Sequence, residues 1–179
     1  MIEIRLQGLG GDGVAKAAEW IGKAALLEGR QAQSFPFFGT EIRGAQVTAF
    51  IRIDDRPVRV RSFIYHPDIV GILHRDPRKL EDPWAGIKEG GWVILARGAG
   101  EPPPLPARFL SVPAGKVQGP WNVIFLGALA AWTGVVSLPA LGEVMRGHFL
   151  GEELQKILGL LETGVRESEE VFPFGASVV

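Results

Sequence analysis

Apolar and polar residues alternate at the start of the chain and then change to a helical period. Ile2 to Leu6 alternates with charged residues, as a half-buried strand does. From Val14 onward the apolar residues recur at helical spacing, which predicts a helix over about Asp12 to Glu28. Between the two lies Gly8-Leu9-Gly10-Gly11-Asp12-Gly13. The chain is therefore predicted to open with a Rossmann-like strand, glycine turn and helix.

The next segments predict two alternating strands. Ala32 to Phe35 is predicted as a short strand. Gln46 to Ile53 and Val58 to Ile64 both alternate, and the turn-like Asp54-Asp55-Arg56-Pro57 separates them, so we predict a β-hairpin. Three arginines would share one face of this hairpin: Arg52, Arg59 and Arg61. This face is either a solvated sheet face or a surface that holds a phosphate or an acidic partner.

Short runs without alternation follow. Asp68 to Leu73 is apolar after its first residue, and Trp92 to Ala96 is apolar throughout. Arg75 to Glu89 between them is predicted as a turn and a helix, and Arg108 to Val112 as a last strand. Fully apolar short strands separated by helices indicate a parallel sheet that is covered on both faces. We therefore predict an α/β fold, a three-layer α/β/α architecture around a mostly parallel, mixed sheet.

The last third of the chain predicts helices. Trp121 to Trp132 is apolar nearly all round, which indicates a buried helix. Ser137 is predicted to cap a second helix from Leu138 to about Gly147. Gly151 to about Glu170 carries apolar residues at helical spacing and is predicted as the third.

Composition narrows the class of protein. With 179 residues, 46% of them apolar, residues 1–179 are expected to form one domain. A net charge of −1 lacks the excess of positive charge that is typical of nucleic-acid-binding proteins. No apolar run approaches the roughly 20 residues that span a bilayer. The chain starts with a strand rather than a signal peptide, so a cytoplasmic protein is expected. Because cysteine is absent, any iron–sulfur cluster is expected on another chain.

The glycine turn admits several interpretations. Exposed amides at the start of a helix attract anions, which suits a phosphate cradle. A carboxylate at Asp12 would cap these amides itself and repel phosphate, which favours a self-capped structural turn or one that faces a protein partner. An NAD site is a third interpretation. It would need an acidic residue roughly 20 residues later to bind the ribose, but the residues there are Gln31, Gln33 and Ser34. The turn also lacks the Lys-Ser or Lys-Thr pair of a nucleotide P-loop.

The second segment of interest is Phe35-Pro36-Phe37-Phe38-Gly39-Thr40-Glu41-Ile42-Arg43-Gly44. Proline and two glycines predict a loop, yet three phenylalanine rings on a surface loop need a cover. The rings either fold back onto this domain's own core or contact another subunit or a bound cofactor.

No catalytic residue and no metal site is predicted within this chain. Its histidines, His66, His74 and His148, lack the spacing of a metal site and are expected on the surface or in loops. Gly11-Asp12-Gly13 matches the start of a thiamine diphosphate motif, which also needs an asparagine pair downstream. The chain contains one asparagine, Asn122, expected to cap a helix or bond in the core, so it cannot build that site alone.

Several motifs occur together in a fixed order along roughly Met1 to Glu170. They are the glycine turn, Phe35 to Gly44, the strand and turn Phe50-Ile51-Arg52-Ile53-Asp54-Asp55, and Asn122 with Leu126-Gly127-Ala128-Leu129-Ala130 and Thr133-Gly134. This combination resembles the gamma subunit, or the corresponding domain of fused forms, of pyruvate:ferredoxin and related 2-oxoacid:acceptor oxidoreductases.

The resemblance implies a subunit of an enzyme that converts pyruvate or a related 2-oxoacid to acyl-CoA by oxidative decarboxylation. It implies that the chain binds no cofactor alone. Thiamine diphosphate, Mg²⁺ and Fe–S clusters are expected on alpha, beta and delta-type partner subunits, coenzyme A is a substrate, and ferredoxin is an indirect partner. The chain would pack on the catalytic subunits, help to close the active site and shape the approach of coenzyme A.

Carried over to this sequence, the resemblance implies two sets of site residues. The cofactor-binding candidates are Gly8, Gly10, Gly11, Asp12 and Gly13. The candidates facing a partner or the active site are Phe37, Phe38, Gly39, Glu41, Arg43 and Gly44, of which Glu41 and Arg43 would make charge-assisted contacts. The family usually has glutamine at Asp12 and commonly threonine at Lys16. A divergent member, a stand-alone domain that binds a phosphorylated small molecule or nucleotide without catalysis, and a small NAD-dependent reductase are the alternatives.

Overall fold

In the part of the chain that the structure describes, seven strands form one mixed sheet in the order β2-β3-β1-β4-β5-β6-β7. The structure, a computed structural model, describes residues 1–39, 44–99, 103–113 and 119–172. The strands are β1 (Ile2–Leu9), β2 (Gln31–Phe38), β3 (Gln46–Asp54), β4 (Ile69–Ile72), β5 (Trp92–Ala96), β6 (Arg108–Val112) and β7 (Glu169–Val171). The helices are α1 (Val14–Leu27), α2 (Trp121–Thr133), α3 (Leu138–Arg146) and α4 (Gly151–Glu167).

Strand directions confirm the predicted α/β class and its mixed sheet. The four central strands β1, β4, β5 and β6 are parallel, whereas β3 is antiparallel to both β1 and β2, and β7 is antiparallel to β6. Five strands therefore run one way, and β3 and β7 run against them. The predicted opening of strand, glycine turn and helix is present as β1, the turn and α1.

The four helices of the described residues lie on one face of the sheet, where they form the larger of two apolar cores with the strands. The helix α2 lies against the sheet and is itself covered by α4, which explains why it is apolar nearly all round. Glycines allow the two helices to approach closely. A Cβ atom on Gly127 would lie 2.0 Å from the carbonyl oxygen of Leu161, and one on Gly164 would lie 2.0 Å from that of Ile124.

No long helix among the described residues covers the other face of the sheet. Within Arg75 to Glu89 the structure has one 3₁₀ turn, Pro77–Lys79, instead of the predicted helix, and the apolar side chains there form a second, smaller core with the sheet. Buried arginines fasten these covering segments: Arg5 donates to the carbonyls of Pro83 and Ala85. Burial lowers the pKa of the Arg5 guanidinium from its usual value, while Asp82 acts in the opposite direction.

The β-hairpin occurs one strand earlier than predicted. It joins β2 to β3, and residues 58–64 form no strand. Both edges of β3 are already paired, with β1 and β2, so the alternating sequence after it has no free edge to join. Arg52 is not on a solvated face either: it is 2% exposed and forms an ion pair with Glu3, with 2.9 Å between Nε and Oε1.

Phe35 to Phe38 was predicted to be a loop but belongs to the edge strand β2. The Gly39 N–H donates to the Gln46 carbonyl (2.9 Å), so the antiparallel alternation places Pro36 at a position whose N–H would point away from β3. Proline is tolerated there because no ladder bond is lost. At the other end of the chain, α4 stops at Glu167, and the short strand β7, which the sequence pattern did not reveal, follows it.

Candidate functional site

The glycine turn between β1 and α1 is closed by its own hydrogen bonds. The Asp12 N–H donates to the Leu9 carbonyl (3.1 Å), the Leu9 N–H donates to Asp12 Oδ2 (2.7 Å), and the Gly10 N–H donates to the Ala45 carbonyl (3.0 Å). Gly11 and Gly13 have φ values of 99° and 78°, which a residue with a side chain rarely adopts. These two positions explain why the turn needs glycine.

Asp12 does not cap α1, contrary to the prediction. Its carboxylate bonds back to the end of β1 and also lies 2.8 Å from Nδ1 of His74, which follows β4. Gly13 is the N-cap residue of α1, and among the side chains that the structure describes none accepts a hydrogen bond from the first amides of this helix. The start of α1 therefore keeps the partial positive charge of its amides.

The beginning of α2 braces the same region. Asn122 is buried and donates from Nδ2 to the Gly13 carbonyl (3.4 Å), and the Trp121 indole N–H donates to the Leu73 carbonyl (2.6 Å). Asn122 thus bonds in the core, one of its two predicted roles, whereas Pro120 is the N-cap residue. The glycine turn, the end of β4 and the start of α2 meet at the carboxyl edge of parallel strands, where α/β proteins usually bind ligands.

A groove of about 970 Å³ opens beside the glycine turn. One side is the exposed flank of α1, and the other is the edge strand β2 with Gly39, Gly44 and Ala45. Charged residues of α1 line it: Glu19 bonds to Lys16 (2.8 Å) and Lys23 (2.6 Å), and these bonds lower the pKa of its carboxyl to about 2. We call this space the α1–β2 groove.

The predicted glycine residues take different places around this groove. Gly10, Gly11 and Gly13 line it. Gly8 lies behind the turn, where a Cβ atom would come within 2.8 Å of the Val14 side chain, so its role is to let β1 and α1 approach. The carboxylate of Asp12 is tied to Leu9 and His74, a pairing between residues 62 positions apart that the sequence pattern did not reveal.

The phenylalanines of β2 point to opposite faces of the sheet. Phe38 lines the α1–β2 groove, whereas Phe37 lines a smaller pocket of about 380 Å³ that also includes Thr48, Lys79 and Glu81. Gly39 and Gly44 border both spaces. The other two predicted members of this set, Glu41 and Arg43, lie outside the described residues.

The aromatic rings around β2 are partly covered by this chain itself. Phe35 lies 5.3 Å from Phe50, and Phe37 lies 5.2 Å from Phe63, measured between ring centroids. Phe37 and Phe38 nevertheless remain 50% and 59% exposed. Folding back onto the domain, the first of the two predicted covers, therefore accounts for Phe35 and leaves about half of the next two rings in contact with solvent.

No group of three or more His, Asp or Glu side chains in residues 1–39, 44–99, 103–113 and 119–172 is placed to hold a metal ion. Among the helices of these ranges, none is both long and apolar enough to cross a bilayer.

Known proteins resemble this chain over nearly its whole length. It is 43% identical over 166 residues to the pyruvate/ketoisovalerate oxidoreductases common subunit gamma of Thermococcus litoralis, covering 85% of this chain and 89% of that protein. The crystal structure of pyruvate oxidoreductase subunit PORC from Thermotoga maritima has a TM-score of 0.78 and 26% identity, covering 96% of this chain and 98% of that one.

A third similarity concerns the fold alone. The 2-oxoglutarate:ferredoxin oxidoreductase from Magnetococcus marinus, solved with 2-oxoglutarate, coenzyme A and succinyl-CoA, has a TM-score of 0.72 at 22% identity. The matched region covers 91% of this chain and 30% of that one.

The family model described as pyruvate ferredoxin/flavodoxin oxidoreductase matches residues 3–167. This match includes the glycine turn, the β2–β3 hairpin and all four helices. The chain belongs to the pyruvate ferredoxin/flavodoxin oxidoreductase family.

Proposed function

We propose that this chain is the gamma subunit of a 2-oxoacid:ferredoxin oxidoreductase that converts pyruvate or a related 2-oxoacid to acyl-CoA. The observation that carries the proposal is the 43% identity to a common gamma subunit over 89% of its length. That relative is described as a gamma subunit common to pyruvate and ketoisovalerate oxidoreductases. We therefore propose that the companion subunits, rather than this chain, select the 2-oxoacid.

The companion chains would carry the redox chemistry. With no cysteine, this chain offers no thiolate to an iron–sulfur cluster, and with one asparagine it lacks the pair that a thiamine diphosphate motif needs. We propose alpha, beta and delta-type partner subunits that hold thiamine diphosphate, Mg²⁺ and the clusters, with ferredoxin as an indirect partner. The isolated chain is expected to be inactive.

The α1–β2 groove is our proposed contribution of this chain to the active site. Coenzyme A carries phosphate groups, and the first amides of α1, which no described side chain caps, would hold such an anion together with Lys16. Asp12 opposes this less than the sequence suggests, because its carboxylate is already engaged by Leu9 and His74. Gly10, Gly11 and Gly13 would let the ligand approach the backbone.

Affinity purification of the tagged chain from its own source lysate tests the subunit assignment. We expect companion chains to co-elute with thiamine diphosphate and iron, both assayed in the eluate. Elution of this chain alone, free of both, would contradict the assignment.

Kinetics of the purified complex test the groove. We expect Lys16→Ala to raise the KM for coenzyme A by about threefold to tenfold, the effect of losing one exposed or half-buried charge contact, with little change in kcat. Lys156→Ala, an exposed lysine on α4, is the matched control. An unchanged KM would remove Lys16 from coenzyme A binding.

The same uncapped helix start supports a second candidate, a stand-alone domain that binds a phosphorylated small molecule or nucleotide. Calorimetric titration of the isolated chain with coenzyme A, ATP and NAD separates the two. Micromolar binding by the isolated chain, combined with no companions in the lysate, would favour the second candidate.

A further inference from the structure

Phe37 and Phe63 meet on the face of the sheet opposite the described helices, and Phe63 belongs to an exposed segment that also carries arginine and tyrosine. Phe63 contacts Phe37 across the end of β2, and Tyr65, two residues further on, is 67% exposed. Arg59 and Arg61 precede Phe63 in the same exposed segment. We call these five residues, Phe37, Arg59, Arg61, Phe63 and Tyr65, the aromatic–arginine patch. Aromatic residues and arginine are enriched at the centres of protein interfaces.

The segment that carries the patch is fixed although it has no regular secondary structure. Buried Arg52 donates to the carbonyls of Ser62 (2.8 Å) and Phe63 (3.3 Å), while Glu3 holds its guanidinium. The Phe63 ring stacks on Phe50 with 4.9 Å between centroids and 14° between planes.

A neighbouring loop packs against the backbone of Tyr65. Gly86 has a φ of 69°, and its Cα hydrogen faces the Tyr65 carbonyl so closely that a Cβ atom would lie 2.0 Å from the oxygen. A surface held in place before binding loses little conformational entropy on binding, which strengthens association.

The charge of the patch defines its partner. No carboxylate among the described residues lies within ion-pair distance of Arg59 or Arg61, although most other exposed arginines of these ranges have one. A second copy of the chain would place the same arginines against each other in a twofold interface, which like-charge repulsion disfavours. The complementary surface is acidic, with apolar groups that contact the aromatic rings.

We infer that the aromatic–arginine patch binds an acidic surface of a companion chain in the oxidoreductase complex. This inference rests on the proposed function, since it requires companion chains. Arg52 is a positioning residue for the interface: it contacts no partner itself but holds the segment that does. Because exposed opposite charges at the rim are screened by salt, the interface is expected to weaken as ionic strength rises.

The test uses the complex recovered from cells that express the tagged chain. We expect Arg59→Glu with Arg61→Glu to lower the recovery of companion chains about tenfold or more, the effect of reversing two charges at an interface. Arg146→Glu with Arg166→Glu reverses two charges on α3 and α4 and is the matched control. Urea unfolding of each isolated chain checks that the variants fold, and Arg59→Gln with Arg61→Gln replaces the reversal if it does not.

The outcomes separate this inference from the proposed function. Recovery of companion chains with the unaltered protein, but not with the charge-reversed variant, supports the inference that the patch binds a companion chain. Equal recovery by both overturns the patch and leaves the subunit assignment in place, whereas no companions with the unaltered chain contradict the assignment itself.

Photo-crosslinking identifies what covers the patch. With p-benzoylphenylalanine in place of Tyr65, we expect a crosslink to an acidic segment of a companion chain. A crosslink only to a second copy of this chain would overturn the inference.

Discussion

At the scale of single residues, both the backbone conformation of the turn and the close approach of Asn122 at the start of α2 require glycine at position 13. The φ of 78° at Gly13 is unfavourable for any residue with a side chain, and a Cβ atom would lie 2.5 Å from Nδ2 of Asn122. We expect Gly13→Ala to lower the free energy of unfolding by ~2–4 kcal/mol, the strain and the displacement of Asn122 together. Urea denaturation of the isolated chain measures this.

Gly10→Ala is the control from the same turn. A Cβ atom there would have no neighbour within 4 Å, and the backbone is outside the left-handed region. We expect a change within about 0.5 kcal/mol in either direction. Equal losses in both variants would mean that the turn tolerates no side chain at all, rather than that Asn122 sets the limit.

Glu19 predicts a small pH dependence. Hydrogen bonds from Lys16 and Lys23 lower the pKa of its carboxyl to about 2 from a usual 4.5. An acid with a lowered pKa in the folded state stabilises the protein above its unfolded pKa, and this contribution is lost as the pH falls from about 4.5 toward 2. Because Glu19 is 40% exposed, solvent screening reduces the contribution to less than about 1 kcal/mol.

We therefore expect Glu19→Gln to destabilise the chain slightly at pH 7, and the difference from the unaltered protein to shrink below pH 4.5. Thermal unfolding between pH 7 and pH 3.5 measures both. A difference that stays constant over this range would show that the ion pairs contribute nothing to the effect.

At the scale of elements, the contact between α2 and α4 depends on paired glycines. Gly164 faces the Ile124 carbonyl, where a Cβ atom would lie 2.0 Å from the oxygen, whereas Gly159 in the same helix faces open space. We expect Gly164→Ala to cost ~3 kcal/mol or more, because the helices must separate. Gly159→Ala is expected to stabilise by up to about 1 kcal/mol through helix propensity. Chemical denaturation of the two variants distinguishes packing from propensity.

Sequence patterns predicted the elements that local periodicity determines. The apolar runs at β4 and β5, the buried helix α2 and the cap at Ser137, whose hydroxyl accepts from the Ala140 N–H (3.2 Å), all follow from neighbours along the chain. The position of the hairpin does not follow from neighbours along the chain. Residues 58–64 alternate like a strand, but competition for the edges of β3 decides which segment pairs, and β2 occupies the free edge.

The candidate site follows the same division. The glycine turn was predictable because four glycines in six residues demand it. The partners of Asp12 were not, because the carboxylate contacts His74, brought there by the parallel pairing of β1 and β4. The groove likewise depends on how far α1 stands from the edge strand, a distance that no local pattern encodes.

At the scale of the whole molecule, Pro36 protects an open sheet edge. Pro36 lies in the middle of β2, at a position where a backbone N–H would point to solvent. Because proline has no N–H, another strand cannot add a continuous hydrogen-bond ladder there. We expect Pro36→Val to raise self-association of the isolated chain, visible as a larger mass in light scattering after size exclusion. Pro139→Ala in the first turn of α3 is the control away from the sheet edge. Monodisperse Pro36→Val protein would show that side chains alone keep the edge unpaired.

The burial of α2 has a consequence for how the chain is made. A ribosome releases α2 before α4, and α2 carries no charged residue, with nine of its thirteen residues buried in the finished protein. Until α4 emerges, the nascent chain exposes the apolar surface of α2, which is the kind of surface that chaperones bind and that drives aggregation. Truncation between the two helices therefore removes more than a terminal segment: it leaves a product whose inner layer faces water.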